Sequence, residues 1–287
     1  MTPATPARLH VLFAREAPIG VIFRRGPSKQ VRLILWHTDT NMFEPGQWLK
    51  GRIYEDKAAL SPDGKLLAYF ALDLRYQHGG GRRLFRQSEL KEEDCAWIAI
   101  SRPPYLTAIA LWFNGWNTYG GLATFPDNHT VLLSGFDKIG KEPPEWLSVG
   151  QLPEKWDSWV ASGRSRLETP EERQSALGEV LSGIRPNRYG LPVPYEKRLP
   201  NNGISLIKSS NIAEGNTFRL WNRTTDISTN LAVHFADVDP AGRLIVTDKG
   251  KLFVAQVAPD LSIVKTELAD FNDMVFEPMV APDWARV

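Results

Sequence analysis

The sequence Ala59-Leu60-Ser61-Pro62-Asp63-Gly64-Lys65-Leu66-Leu67-Ala68-Tyr69-Phe70 leaves its backbone few options. Pro62 presets φ for the second position of a tight turn. The Asp63 carboxylate suits bonds to its own backbone, and Gly64 takes the positive φ that closes a bulged hairpin. Apolar residues follow the turn at once, so the segment reads as strand, turn, strand. Two weaker versions follow, Thr124-Phe125-Pro126-Asp127-Asn128-His129-Thr130-Val131-Leu132-Leu133 and Val238-Asp239-Pro240-Ala241-Gly242-Arg243-Leu244-Ile245-Val246. In the first, Asn128 stands in for the glycine, which predicts an asparagine in left-handed backbone. A hairpin that recurs along a chain implies a body built from similar sheets.

Short apolar runs bounded by turn residues extend that grammar. Strands are expected at Leu9–Phe13, Gly20–Arg24, Val31–Trp36, Leu66–Leu72, Ala96–Ile100 and Thr107–Phe113. Later ones fall at Ile204–Lys208, Thr217–Trp221, Leu231–Phe235, Leu244–Thr247, Lys251–Val257 and Ser262–Leu268. Runs apolar on both faces, such as Val31-Arg32-Leu33-Ile34-Leu35-Trp36, suit strands in the middle of stacked sheets. Ten tryptophans and 21 prolines further favour strands and turns over helices. The predicted class is all-β. Asp63 and Asp127 lie 64 residues apart, and Asp127 and Pro240 lie 113 apart. One propeller blade with loops, then two blades with an insertion, would account for those intervals. The expected architecture is an irregular β-propeller of about five blades, with a β-sandwich or two stacked β-domains as the alternative.

One segment breaks the pattern. Residues 143–200 carry Trp146, Trp156, Trp159, Tyr189 and Tyr195, together with a predicted helix. Thr169 is its N-cap, Pro170 opens the first turn, Glu171 and Glu172 suit the positive end of the dipole, and Gly183 stops it. The expected organisation is one domain overall, with N-terminal blades over 1–142, this partly helical insertion over 143–200 and C-terminal blades over 201–287.

The hairpin Ser61-Pro62-Asp63-Gly64 with the strand after it resembles the blade signature of TolB-like and WD40-like propellers. A wider pattern is similar to a group of bacterial proteins with no assigned activity. It runs from Gly46-Gln47-Trp48-Leu49-Lys50-Gly51-Arg52-Ile53-Tyr54-Glu55 through the hairpin to Ile98-Ala99-Ile100-Ser101-Arg102-Pro103-Pro104-Tyr105 and on to Trp112, within about residues 19–121. The resemblance implies a propeller body and a bacterial source. It implies no ligand, because propellers serve as scaffolds, gates and binding modules alike.

Catalytic chemistry finds little support in the residues. The five histidines, His10, His37, His78, His129 and His234, form no close-spaced ligand motif. His37 with Asp39 and His234 with Asp237 come nearest to ligand pairs, and strand ends with turn-capping aspartates account for both. No GxSxG pentapeptide is present. Cys95, the one cysteine, follows Glu92-Glu93-Asp94, a field that opposes thiolate formation. Asp39, Asp63, Asp127, Asp237 and Asp239 are the carboxylates available near strand ends, with turn roles sufficient for Asp63 and Asp127. No cofactor or metal is expected, and no catalytic residue is assigned.

With 34 Lys and Arg against 33 Asp and Glu, no overall field draws the chain to nucleic acid or to an anionic membrane. The longest apolar runs, such as Thr107–Phe113, are far short of a bilayer span of about 20 residues. The N-terminus lacks the apolar core of a signal peptide, so a cytosolic location is expected. The function expected is a non-enzymatic platform in the bacterial cytosol for another protein, touched through Trp146, Trp156, Trp159, Tyr189 and Tyr195. Two alternatives remain open. One is a hydrolase of carbohydrate or a small ester working from the propeller channel. The other is nucleic-acid binding through Arg75, Arg82, Arg83 and Arg86 around Gly79-Gly80-Gly81.

Overall fold

A computed structural model describes residues 5–26, 29–72, 95–115, 121–136, 138–153, 165–167, 194–200, 203–211 and 215–287. The chain separates into two compact units. Met1–Trp156 with Phe271–Val287 forms unit 1, and Asp157–Asp270 forms unit 2. The described residues are all-β apart from one short 3-10 turn at Asp283–Ala285. The predicted helix over 169–183 lies outside the described residues.

The described residues of unit 1 form three sheets, none of them closed. The first is an antiparallel meander of β1 (Arg8–Phe13), β2 (Ile19–Arg25), β3 (Gln30–His37) and β4 (Met42–Lys50). The second continues with β5 (Arg52–Leu60), β6 (Leu67–Leu72), β7 (Ala96–Ser101) and β8 (Ala108–Phe113). The third starts as the hairpin β9 (Ala123–Thr124) and β10 (Thr130–Leu133). Here the meander breaks. Next in sequence, β11 (Lys138–Lys141) returns to pair with β8, and β12 (Ser148–Gln151) then joins β10 in parallel.

Strand alternation makes the second sheet the middle layer. Ala68, Phe70, Ile98, Ile100 and Trp112 point to a core shared with Phe125, Val131 and Leu133. Leu67, Tyr69, Ala71, Trp97, Leu111 and Phe113 point the other way, to a core shared with Val21, Phe23, Val31 and Leu33. Every residue of β6 and β7 is therefore buried. Two-sided burial is what their apolar runs require. The opposite face of the first sheet is covered by the segment from Phe271 onward. Phe43 stacks on Trp36 at 5.7 Å and meets the edge of Phe271 at 5.4 Å. The buried Arg24 donates from Nε to the Phe271 carbonyl at 3.0 Å and from Nη2 to the Asn272 carbonyl at 2.8 Å.

The Ser61–Gly64 turn takes the predicted form. Gly64 has φ +77°, its N–H bonds to the Ser61 carbonyl at 2.9 Å, and Asp63 Oδ1 accepts from Lys65 N–H at 3.1 Å and Ser61 Oγ at 2.7 Å. First-hairpin turns of neighbouring sheets also touch. The Glu16 N–H donates to the Pro62 carbonyl at 2.9 Å, and the Asp63 N–H donates to Asn128 Oδ1, also at 2.9 Å. Asn128 thus corrects one expectation, because it is not among the residues with positive φ. It is kept by what its side chain accepts from the next sheet.

The described residues of unit 2 form two sheets. One consists of β13 (Ser165–Arg166), β14 (Tyr195–Arg198), β15 (Ile204–Asn211), β16 (Gly215–Asn222) and β17 (Ile227–Asn230). The other is the meander β18 (Phe235–Val238), β19 (Leu244–Asp248), β20 (Lys251–Val257) and β21 (Ile263–Asp270). Leu231–Phe235, expected as a strand, is the link between β17 and β18, with only Phe235 entering a strand. Asp239–Gly242 repeats the turn chemistry of Ser61–Gly64. Gly242 has φ +81° and packs on Pro200 in the β14–β15 turn so closely that a Cβ would overlap its ring. The described parts of 143–200 belong to these sheets, β12 and the buried Leu147 in unit 1 and β13 and β14 in unit 2.

Candidate functional site

The turn between β7 and β8, Arg102-Pro103-Pro104-Tyr105, holds two tryptophans at the surface of unit 1. The Tyr105 N–H closes it onto the Arg102 carbonyl at 2.9 Å, and the Pro103–Pro104 peptide is cis. Its inner side is fixed by the amide of Gln47. That amide accepts at Oε1 from Leu106 N–H at 2.8 Å and Thr107 N–H at 2.9 Å, and donates from Nε2 to the Met279 carbonyl at 2.9 Å. The outer corners carry the functional groups. The Arg102 guanidinium lies 5.0 Å from the centroid of the Trp146 ring, and its Nε donates to the Val287 carbonyl at 3.2 Å. Tyr105 meets Trp284 edge to face at 5.6 Å.

Trp146 is 40% exposed and Trp284 56%. A rigid turn that pins two half-open indoles through a cation and an aromatic edge presents large contact area at small entropy cost. Ile139 and Val149 are also exposed in unit 1, and β11, fully exposed at the edge of the second sheet, sends Lys141 Nζ to the Ala108 and Arg286 carbonyls.

Of the five predicted partner-binding residues, Trp146 belongs to this surface. Tyr195 is half-buried in β14 of unit 2, opposite Lys208 and Arg166. Trp156, Trp159 and Tyr189 lie outside the described residues, as do Arg75, Arg82, Arg83 and Arg86. Sequence reasoning missed Arg102, Tyr105 and Trp284. The two adjacent prolines between Arg102 and Tyr105 were the available signal, since they stiffen a turn and so fix whatever flanks it.

The histidines and carboxylates considered from sequence have the following partners. His37 Nε2 meets Glu44 Oε1 at 2.5 Å across the β3–β4 hairpin, while Asp39 caps the Thr40 N–H. Asp237 takes Lys197 Nζ at 3.2 Å, and Asp239 holds its own turn through Arg243 Nε at 2.7 Å. Burial pushes the Asp63 carboxyl up, but bonds from Ser61 and Lys65 outweigh it and hold the group below the usual aspartate range. The bond from His129 N–H does the same for exposed Asp127. Cys95 is buried, with its thiol toward the Gly115 carbonyl. No cluster of three metal-ligating side chains occurs among the described residues. Nor does any helix among them have the length and apolarity to cross a membrane.

No family model matches the chain, and no curated protein does. Among solved structures, an uncharacterised protein from Listeria monocytogenes aligns at 8% identity and TM-score 0.26, over 90% of this chain and 62% of the other. An oligogalacturonate lyase from Vibrio parahaemolyticus aligns at 8% identity and TM-score 0.21, over 89% and 64%. The chain thus spans less than two thirds of either protein. At these scores, what the chain does is read from its own residues.

Proposed function

We propose that the protein is a non-catalytic binding platform of irregular propeller-like build, and that it engages another protein through the Arg102, Tyr105, Trp146 and Trp284 surface. The observation that carries this reading is the pair of half-exposed tryptophans pinned by one turn. Tryptophan and arginine are the residue types most enriched among interface hot spots, and pre-fixed side chains lose little freedom on binding. The propeller-like reading is supported by successive sheets that touch through hairpin turns, at Glu16–Pro62 and Asp63–Asn128 in unit 1 and at Gly242–Pro200 in unit 2. The resemblance of the Ser61–Gly64 hairpin to the TolB-like and WD40-like signature points the same way. A bacterial cytosolic setting belongs to this proposal.

Trp146→Ala and Trp284→Ala test it, since both side chains are half outside the core and their loss leaves the β circular-dichroism spectrum unchanged. Proteins crosslinked to the wild type in host lysate are to be identified and the binding of each remeasured with purified components. Truncation of a hot-spot tryptophan costs about 2 kcal/mol or more, so affinity falls at least about 30-fold. Equal affinity for wild type and both variants refutes the surface.

A further inference from the structure

The outer face of the first sheet carries a cross-strand row of unusual composition. Arg24 on β2 lies opposite Arg32 on β3, and Arg32 lies opposite Trp48 on β4. Both guanidinium carbons sit 5.4 Å from the centroid of the same Trp48 ring. Arg24 is 1% exposed and Arg32 8%. Like charges directly opposite on adjacent strands repel, and burial removes the water that would screen them.

The two arginines differ in what they have left to give. Arg24 spends Nε, Nη1 and Nη2 on the carbonyls of Phe271, Gly26 and Asn272. Arg32 commits only Nε, to the Gly46 carbonyl at 3.1 Å, and its two terminal nitrogens make no hydrogen bond to the described residues. The indole N–H of Trp48 is buried and has no acceptor among the described residues. Burial lowers the pKa of both guanidinium groups. Arg32 adds to that for Arg24, while the charge of Glu277 works the other way on Arg32. Glu277 is exposed and forms no ion pair with Arg32.

Beside the satisfied Arg24, the open fork of Arg32 and the unanswered indole N–H of Trp48 are donors in the same row without an acceptor among the described residues. We propose that Arg32 and the Trp48 N–H form a subsite for an oxyanion group, a carboxylate or a phosphate, for which the Glu277 side chain competes. The planar fork of Arg32 matches two oxygens of either group, with Arg24 supplying further positive potential from behind. Phe276, whose ring centroid lies 5.9 Å from that of Trp48, borders the row, so an entering anion changes the surroundings of this indole.

The test uses the whole protein and its indole N–H signals in nitrogen-15 NMR, with Trp48 assigned by the signal lost in Trp48→Phe. Inorganic phosphate and acetate are titrated separately at ionic strength held constant with sodium chloride. The expected result is a saturable shift of the Trp48 signal with at least one of them. The one that binds identifies the ligand group as phosphate or carboxylate. Arg32→Gln weakens that binding about tenfold or more, and Glu277→Gln, a change at an exposed side chain that keeps the fold, tightens it about threefold. A Trp48 signal that responds no more to phosphate or acetate than to chloride overturns the proposal. So does an affinity left unchanged by Glu277→Gln.

Discussion

Replacing Gly64 by alanine tests both the turn and the contact between successive sheets. Gly64 has φ +77°, and a Cβ on it would stand 2.7 Å from Ile19 Cγ2, 2.8 Å from Ile19 Cβ and 3.3 Å from Ala14 Cβ. Left-handed backbone costs an alanine about 1 kcal/mol. Forcing a methyl into the β1–β2 turn adds about 1–3 kcal/mol of overpacking, so Gly64→Ala loses about 2–4 kcal/mol in total. Gly26 separates the two contributions. It has φ +96°, and a Cβ there would meet nothing within 4 Å, so Gly26→Ala carries the backbone cost alone, about 1 kcal/mol. Urea unfolding followed by tryptophan fluorescence measures both, with the slope checked so that midpoints compare as stabilities. Lys65→Val, at an exposed neighbouring position, serves as the surface control and changes stability by less than about 0.5 kcal/mol. Equal losses for Gly64→Ala and Gly26→Ala refute the close approach of the two turns, and no loss for either refutes the turn itself.

Gln47→Leu leaves the N–H groups of Leu106 and Thr107 without their acceptor. It is expected to cost about 2–4 kcal/mol by the same unfolding assay. Glu196 is buried, which pushes its carboxyl up, but Arg223 and Ser205 outweigh burial and hold it below the ordinary glutamate value of 4.5. A depressed folded pKa contributes stability that is present above about pH 4.5 and lost as pH falls through the folded value. The stability gap between wild type and Glu196→Gln, read from thermal unfolding, therefore narrows on acidification below that point. Burial pushes the Lys57 ammonium down to about 8 from 10.5. NMR titration should find a lysine signal, absent in Lys57→Gln, that loses its proton near pH 8, with stability rising from about pH 8 to 10.5 because the unfolded chain holds that proton longer.

What the sequence displays is local chemistry. Pro62-Asp63-Gly64 determines its turn within a few residues, and the apolar runs of β6 and β7 announce burial on both faces. Three of the strands left unread have residues that are themselves ambivalent. Met42–Lys50 includes Pro45 and Gly46, Arg52–Leu60 carries Glu55, Asp56 and Lys57, and Ile227–Asn230 is half polar. Each is a strand because a neighbour pairs with it. Asn128 misled for the same reason, since its role is to accept a bond from a residue 65 positions away. The candidate surface follows the same rule. Trp146 stood out by type, but its link to Arg102, and that of Tyr105 to Trp284, join positions far apart in sequence that no short motif records.

The route of the chain through unit 1 constrains the order in which the protein can be finished. The outer face of the first sheet, with Arg24, Trp36 and Phe43, is covered by residues from Phe271 onward, and all of Asp157–Asp270 is made before them. At about 5–20 residues per second, synthesis of that stretch takes on the order of ten seconds. Throughout that interval the nascent first sheet has an apolar face open to solvent, and Arg24 lacks the Phe271 and Asn272 carbonyls that later receive it. Completion of unit 1 waits on residues made after the whole of unit 2, so a truncation after Asp270 injures a sheet laid down long before it.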